Sequence, residues 1–188
     1  MKIYMLFLFL LFNLFSSGQT LTAHERDSIS NEFFKAKEKA NKEAIGKPYP
    51  SFLFTTDGRV INNEELKGKI VFINFWFEAC APCIAEFDAL NEMYQNLKDN
   101  KDFVFMSFTF ETPGKITQVK EKYLLPYTVI SIDRKECYRL NLDNGFPANF
   151  ILDKTGAIKY MSFGGATDKA SARKYVMEKI YPEIAKLL

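Results

Sequence analysis

The chain has 188 residues, enough for one domain and an appendage, and 47% of them are hydrophobic, so a well-packed core is expected. Its formal net charge is only +2 at pH 7, from 25 basic and 23 acidic residues. So balanced a charge indicates neither nucleic acid nor an acidic surface as a partner.

Residues 1–18 have the layout of a secretory signal peptide. Lys2 precedes an apolar run of about a dozen residues, and the small residues Ser16, Ser17 and Gly18 follow it before the chain turns polar. The run is shorter than the roughly 18 residues that a membrane-spanning helix needs. We therefore predict export, to the periplasm, with an uncleaved membrane anchor as the alternative.

Residues 19–47 are predicted to form a helical N-terminal arm that lies on the following domain. The stretch is rich in Lys and Glu, its apolar residues recur at roughly helical spacing, and Gly46 and Pro48 end the pattern. The only histidine, His24, falls in this arm and is predicted to be a surface residue. We assign residues 48–188 to the domain itself.

The domain begins with a predicted β-hairpin, because two short extended runs flank Thr55-Thr56-Asp57-Gly58. Residues 70–77 are apolar except for Asn74, which is typical of a strand buried on both faces. An amphipathic helix that starts near Pro82 follows, with Glu86 off its apolar stripe. Later patterns predict strands at 103–110, 128–132, 148–152 and 158–163, and helices at 116–123, 135–140 and 168–187. This order predicts an α/β layer sandwich around a mixed sheet.

Cys80-Ala81-Pro82-Cys83 lies where the buried strand passes into that helix. Unpaired backbone N–H groups and the helix dipole stabilise a thiolate at a helix N-terminus, and the thiolate is the species that attacks disulfides. We expect Cys80 to be exposed and to attack first. Cys83, one turn inside, is expected to be covered and to resolve the mixed disulfide. A purely structural disulfide is disfavoured, because closing so short a loop removes little chain entropy.

Metal binding by this pair is disfavoured as well. A zinc site would need two further ligands, and only Cys137 and His24 are available, far apart in sequence. We therefore expect no metal and no other cofactor.

The segment 73–83, Ile-Asn-Phe-Trp-Phe-Glu-Ala-Cys-Ala-Pro-Cys, resembles the active-site strand and helix of the thioredoxin-like TlpA and ResA family. Lys67-Gly68-Lys69 is also similar, and residues 145–156 resemble the family's cis-proline loop and the hairpin after it. The resemblance runs from about Tyr49 to the C-terminus and leaves the arm uncovered. It implies a thioredoxin-like fold, with a mixed central β-sheet flanked by helices, and the activity of an exported thiol–disulfide oxidoreductase.

The resemblance also implies roles for single residues. Pro147 would be the cis-proline that faces the cysteines and leaves the backbone of Phe146 free to pair with a substrate peptide. Trp76 would pack beneath the site, and Glu86 would tune the cysteines and relay protons. Plainer alternatives stay open: a surface turn at Pro147, a core aromatic at Trp76, and at Glu86 an ordinary acid that the helix dipole favours.

Two positions, Ala79 and Cys137, depart from the family's pattern, whereas Asn74 is usual in this exported branch and departs only from cytoplasmic thioredoxins. Ala79 stands where the family has Trp before the first cysteine, so the substrate preference cannot be carried over. Asn74 replaces the buried Asp of cytoplasmic thioredoxins and cannot act as a base, which shifts that duty to Glu86 or water. Cys137 is additional, either as a small buried apolar group or as a third redox thiol.

The sequence therefore predicts a reductase that takes electrons from an upstream dithiol donor, for which a membrane protein is one candidate. It would pass them to disulfides in exported proteins. A thiol peroxidase of the peroxiredoxin type is the enzymatic alternative, but it needs Thr or Ser and a preceding Pro where Phe77 and Ile73 stand. A metallochaperone or binding module is the third interpretation, and no histidine follows the motif to support it.

Overall fold

The computed structural model describes residues 22–56 and 58–188, and the predicted signal segment lies outside them. The chain divides after Ala40 into two compact units. Within the described ranges, no helix is both long enough and apolar enough to cross a membrane.

Helix α1, Ala23–Ala44, accounts for the predicted helical arm. It begins where it does because Thr22 and Glu25 form a capping box. The Glu25 N–H donates to Thr22 Oγ1 at 3.2 Å, and the Thr22 N–H donates to Glu25 Oε2 at 2.8 Å. That the arm lies on the domain stays a prediction.

The second unit starts with the predicted hairpin. Strands β1, Leu53–Thr56, and β2, Arg59–Asn62, pair in antiparallel register and form a separate two-stranded sheet. Gly58 has a φ of +73°, a conformation that glycine adopts without steric cost and that suits a tight hairpin turn.

A five-stranded mixed sheet forms the centre of this unit, in the order β5-β4-β3-β6-β7. The pairs β3–β4 and β4–β5 are parallel, whereas β3–β6 and β6–β7 are antiparallel. All residues of β3 are buried, as the apolar pattern predicts for a strand covered on both faces, and all residues of β6 are buried as well. The strands are β3, Ile70–Phe75; β4, Phe103–Thr109; β5, Thr128–Ser131; β6, Ala148–Leu152; and β7, Ile158–Phe163.

Helices cover both faces of the sheet, and the sheet separates the core into two clusters. One cluster contains Phe72 of β3 with Phe87, and the other contains Ile73 with Cys137, because successive strand residues point to opposite faces. The helices of this unit are α2, Ala81–Leu97; α3, Pro113–Tyr123; α4, Arg134–Leu140; α5, Lys169–Tyr175; and α6, Tyr181–Ala185. The architecture is the thioredoxin-like fold that the sequence predicts.

The prediction of one continuous helix over 168–187 is wrong. A π-helical turn, Val176–Ile180, separates α5 from α6. Pro182 follows it, and proline lacks the N–H that an α-helix would donate to Glu178. The wider turn accommodates the ring and the missing hydrogen bond.

Candidate active site

The sheet places the cysteine motif at the carboxyl end of β3. The chain leaves the strand after Phe75, and Cys80 becomes the N-cap of α2, with an extended backbone at φ −87° and ψ 95°. The Cys83 N–H donates to Cys80 Sγ at 3.3 Å, so the sulfur takes the place of a capping oxygen. The first turn of α2 therefore directs an N–H group and its dipole at the sulfur of Cys80.

Cys80 and Cys83 form a disulfide, with their Cα atoms 5.2 Å apart. Cys83 is covered, with 1% of its surface exposed, but Cys80 is only 4% exposed. The expectation of an exposed Cys80 is therefore wrong for this oxidised form. The closed ring turns the sulfur back over the first turn of α2, where it joins the same buried cluster as Trp76 and Phe87.

Glu86 follows Cys83 by three residues on α2, and the two side chains therefore share one face of the helix. The sequence places Glu86 off the apolar stripe, yet only 1% of its surface is exposed. Burial raises the pKa of its carboxyl group to about 7, while a hydrogen bond from Asn149 acts in the opposite direction. A carboxyl group that titrates near neutral pH can both accept and release a proton there.

A chain of buried polar side chains runs from Glu86 across the sheet. Asn149 Nδ2 donates to Glu86 Oε2 at 3.4 Å, and Asn74 Nδ2 donates to Asn149 Oδ1 at 2.8 Å. Ser107 Oγ donates to Asn74 Oδ1 at 3.5 Å, and Trp76 Nε1 donates to Ser107 Oγ at 2.8 Å. Trp76 is thus more than an apolar core residue, because its indole N–H ends this chain.

The strand register explains why these residues meet. Asn74 of β3 is paired with Ser107 of β4 on one side and with Asn149 of β6 on the other. Residues that pair across neighbouring strands project from the same face of a sheet. Sequence reasoning identified Asn74 but missed Ser107 and Asn149, although each is a polar residue inside a predicted strand.

The peptide bond between Phe146 and Pro147 is cis, and Pro147 is buried. Its carbonyl oxygen accepts a hydrogen bond from the Gly164 N–H at 2.8 Å, which ties the loop after β7 to the proline loop. Phe146 is half-buried, with ring centroids 5.3 Å from Phe77 and 5.5 Å from Tyr138, both in edge-on geometry. These contacts fix the side chain of Phe146 beside the proline.

Gly165 is a site residue that sequence reasoning missed. A Cβ atom built on it would lie 3.2 Å from Glu86 Oε1, 3.4 Å from Pro147 Cγ and 3.5 Å from Pro82 Cβ. The cysteine motif, the acid and the cis-proline therefore converge on this one exposed glycine. Its only sequence signal is the Gly-Gly pair after the last strand.

A pocket of about 370 Å³ lies beside the entrance to α2. Ala79, directly before Cys80, forms part of its wall, and Ile84, Val119 and Tyr123 contribute apolar surface. At its rim, Glu78 is held in place, since Lys115 Nζ lies 3.0 Å from Glu78 Oε1. The small side chain of Ala79 leaves this pocket open next to Cys80.

The third cysteine lies apart from this site. Cys137 on α4 is fully buried in the cluster on the opposite face of the sheet, and burial raises the pKa of its thiol to about 12. Among residues 22–56 and 58–188, no group of three His, Cys, Asp or Glu side chains could hold a metal ion.

Comparisons with known proteins agree with the fold and the cysteine pair described above. The model of the AhpC/TSA family matches residues 45–161. The chain is 33% identical over 152 residues to the thiol-disulfide oxidoreductase ResA of Bacillus thuringiensis (strain Al Hakam), covering 80% of this chain and 84% of that one. It is also 29% identical over 135 residues to the thioredoxin-like protein YneN of Bacillus subtilis (strain 168), covering 69% and 77% of the two chains.

Solved structures share the fold at lower identity. A Chlorobium tepidum protein described as a thiol:disulfide interchange protein DsbE superposes with a TM-score of 0.63 at 20% identity, over 74% of this chain and 97% of that one. A Bacteroides thetaiotaomicron protein described as a protein disulfide isomerase gives a TM-score of 0.65 at 21% identity, over 77% and 89% of the chains.

Proposed function

The chain belongs to the AhpC/TSA family and is a thiol–disulfide oxidoreductase, and on this premise we propose that it reduces disulfides in exported proteins through Cys80 and Cys83. The observation that carries the proposal is the place of Cys80 at the N-cap of α2, where its sulfur accepts the Cys83 N–H. That environment stabilises the Cys80 thiolate relative to its thiol.

The reaction proceeds in two exchanges. The Cys80 thiolate attacks one sulfur of the client disulfide, forms a mixed disulfide and releases the other client sulfur as a thiolate, which takes up a proton. The Cys83 thiolate then attacks Cys80 Sγ and releases the second client sulfur. The client gains two electrons and two protons, and the protein is left with the Cys80–Cys83 disulfide. An upstream dithiol donor returns it to the reduced form.

Glu86 takes the proton that Cys83 must lose before the second exchange. Its carboxyl group has a pKa of about 7, so a large share of the molecules hold it ionised and ready to accept a proton at neutral pH. Asn74 cannot perform this task, and it instead holds Asn149 against the acid.

Phe146 and Pro147 bind the client main chain. Among the described residues, no hydrogen bond uses the main-chain N–H or C=O of Phe146. An extended client segment can therefore pair with it as an added strand, while Pro147 presents no competing N–H toward the cysteines. The pairing is independent of the client's side chains, which suits an enzyme with several substrates.

Reduction is the favoured direction because no Lys, Arg or His lies within Cys80-Ala81-Pro82-Cys83 and an acid lies one turn beyond. Ionised Glu86 disfavours thiolates by like-charge repulsion and so moderates the effect of the helix dipole. Glu78 contributes less to this repulsion than its position in the sequence suggests, because Lys115 Nζ lies 3.0 Å from Glu78 Oε1 and offsets its charge. We expect a reduction potential nearer to roughly −270 than −120 mV.

Equilibration of the purified protein against a series of thiol–disulfide buffers tests this proposal. The fraction of oxidised Cys80–Cys83 is read by alkylation and mass spectrometry, and the Cys80→Ser variant is the control. A potential near the oxidising end, with efficient oxidation of reduced peptides, would overturn the reductive direction and leave the cysteine roles intact. A peroxidase gains no support, because apolar Phe77 and Ile73 occupy the positions that it needs, and a metallochaperone gains none, because no histidine follows the cysteine motif.

A further inference from the structure

We infer that Gly165 is a positioning residue of the reaction: its bare backbone closes the site over Glu86 and sets how that carboxyl group exchanges its proton. The inference rests on the proposed role of Glu86. It adds a residue from the loop after β7, which belongs neither to the cysteine motif nor to the proline loop.

A side chain at position 165 would press on Glu86. A Cβ atom 3.2 Å from Glu86 Oε1 is closer than ordinary van der Waals contact, while Pro147 Cγ at 3.4 Å and Pro82 Cβ at 3.5 Å would be in ordinary contact with it. Gly165 itself is exposed whereas Glu86 is almost fully buried, so Gly165 is an exposed residue directly beside the buried Oε1. Gly165 does not have a positive φ, so backbone strain is no reason for a glycine here.

The Glu86 carboxyl group cannot easily move away from position 165. Its other oxygen, Oε2, accepts a hydrogen bond from Asn149, and Asn149 is held in turn by Asn74. The loop is fixed as well, because the Gly164 N–H donates to the Pro147 carbonyl at 2.8 Å. A side chain at position 165 would therefore act on the carboxyl group and on the water that reaches it.

Within residues 22–56 and 58–188, few other titratable groups face Glu86. On its own helix these are Cys80 and Cys83, which do not titrate while they form the disulfide. From the neighbouring elements the phenol of Tyr127 faces it, and burial first, then the charge of Glu86, raises the pKa of that phenol far above neutral. The side chains of Asn74, Ser107 and Asn149 carry no charge. In the oxidised protein, Glu86 is thus the group that titrates near neutral pH at this site.

The test is a Gly165→Ala variant, with Gly114→Ala as the matched control. Gly114 also has an ordinary φ, and a Cβ atom there meets nothing within 4 Å. The carboxyl ¹³C signal of Glu86 is titrated by NMR in the oxidised proteins, and the pH dependence of disulfide reduction is measured alongside. Because the added methyl group excludes water from Oε1, we expect both midpoints to move upward, on the order of half a pH unit, in Gly165→Ala alone.

Three results would overturn the inference. The first is an unchanged Glu86 titration in Gly165→Ala. The second is a shift in the pH–rate profile that Gly165→Ala still produces in a Glu86→Gln background, because the loop would then act by another route. The third is a shifted Glu86 titration with an unshifted rate profile, which would remove Gly165 and Glu86 from the reaction. Failure of the proposed function looks different, since the unmodified protein would then reduce no disulfide at any pH.

Discussion

Replacement of Glu86 by Gln should make the oxidised protein more stable at alkaline pH. The pKa of Glu86 rises from 4.5 in the unfolded chain to about 7 in the fold, chiefly through burial. Folding therefore favours the protonated form. The stability that this provides is fully present below the unfolded pKa and is lost as the pH rises through 7. Gln resembles the protonated acid and carries no such penalty.

The size of this stability difference follows from the shift in the pKa of Glu86 on folding. At 1.36 kcal/mol per pKa unit, a rise from 4.5 to about 7 corresponds to about 3 kcal/mol between pH 4 and pH 8. For a protein of this length the same free energy moves the melting temperature by roughly 6–12 °C. Between pH 4 and pH 8, the free energy of unfolding of the wild type should fall by about 3 kcal/mol relative to that of Glu86→Gln. Near pH 4 the two proteins should be of similar stability.

Urea unfolding of both oxidised proteins at several pH values measures the difference. Other carboxyl groups, such as that of Asp102, titrate alike in the two proteins and cancel in the comparison. Keeping the disulfide closed removes Cys80 and Cys83 from the titration. Parallel stability curves for the two proteins from pH 4 to pH 8 would refute the reasoning and show that the acid is not held in a buried, uncharged form.

Three further predictions concern the reaction itself. Cys80→Ser should abolish disulfide exchange, whereas Cys83→Ser should accumulate long-lived mixed disulfides on Cys80, visible as adducts on non-reducing gels. Client proteins trapped through Cys83 in the Cys80→Ser protein would reverse these roles. Pro147→Thr restores a main-chain N–H beside the cysteines and should slow the release of mixed disulfides several-fold in stopped-flow assays; unchanged kinetics and trapped partners would remove Pro147 from the site. Ala79→Trp should fill the pocket next to Cys80 and change kcat/KM for peptide disulfides while leaving a small disulfide such as oxidised glutathione unaffected. Equal changes for both substrates would contradict that role for the pocket.

Local sequence patterns were sufficient for most elements of the fold. The last two strands occupy the predicted residues 148–152 and 158–163, because short apolar runs and the turn sequence between them are local signals. The position of the cysteine motif at a strand–helix junction was equally readable. The π-helical turn at Val176–Ile180 was not, because an apolar helical pattern continues through it and only Pro182 marks the break.

The environment of Glu86 could not be read from its own segment. On the helical pattern it falls outside the apolar stripe, and an exposed acid in the first turns of a helix is the ordinary case. What buries it comes from elsewhere: Asn149 from β6 and Gly165 from the loop after β7. Both contacts join residues more than 60 positions apart, so they depend on strand order and register, which no short pattern determines.

In the proposed reaction, the position of the ionisable group at Glu86 gives a role both to the uncharged hydrogen-bonded side chains behind it and to Gly165 beside it. Asn74, Ser107 and Asn149 bring hydrogen-bonding capacity into the sheet without adding a charge. Among the described residues, the carboxyl group that they join is that of Glu86, at the end of the chain of hydrogen bonds. In the proposed reaction, Glu86 accepts the proton from Cys83, and the exposed Gly165 lies beside this carboxyl group, where an added Cβ atom would be 3.2 Å from Oε1. A carboxylate at position 74 would be surrounded by buried strands. At position 86 it lies beside the exposed Gly165, where in the proposed reaction its proton can leave after each turnover.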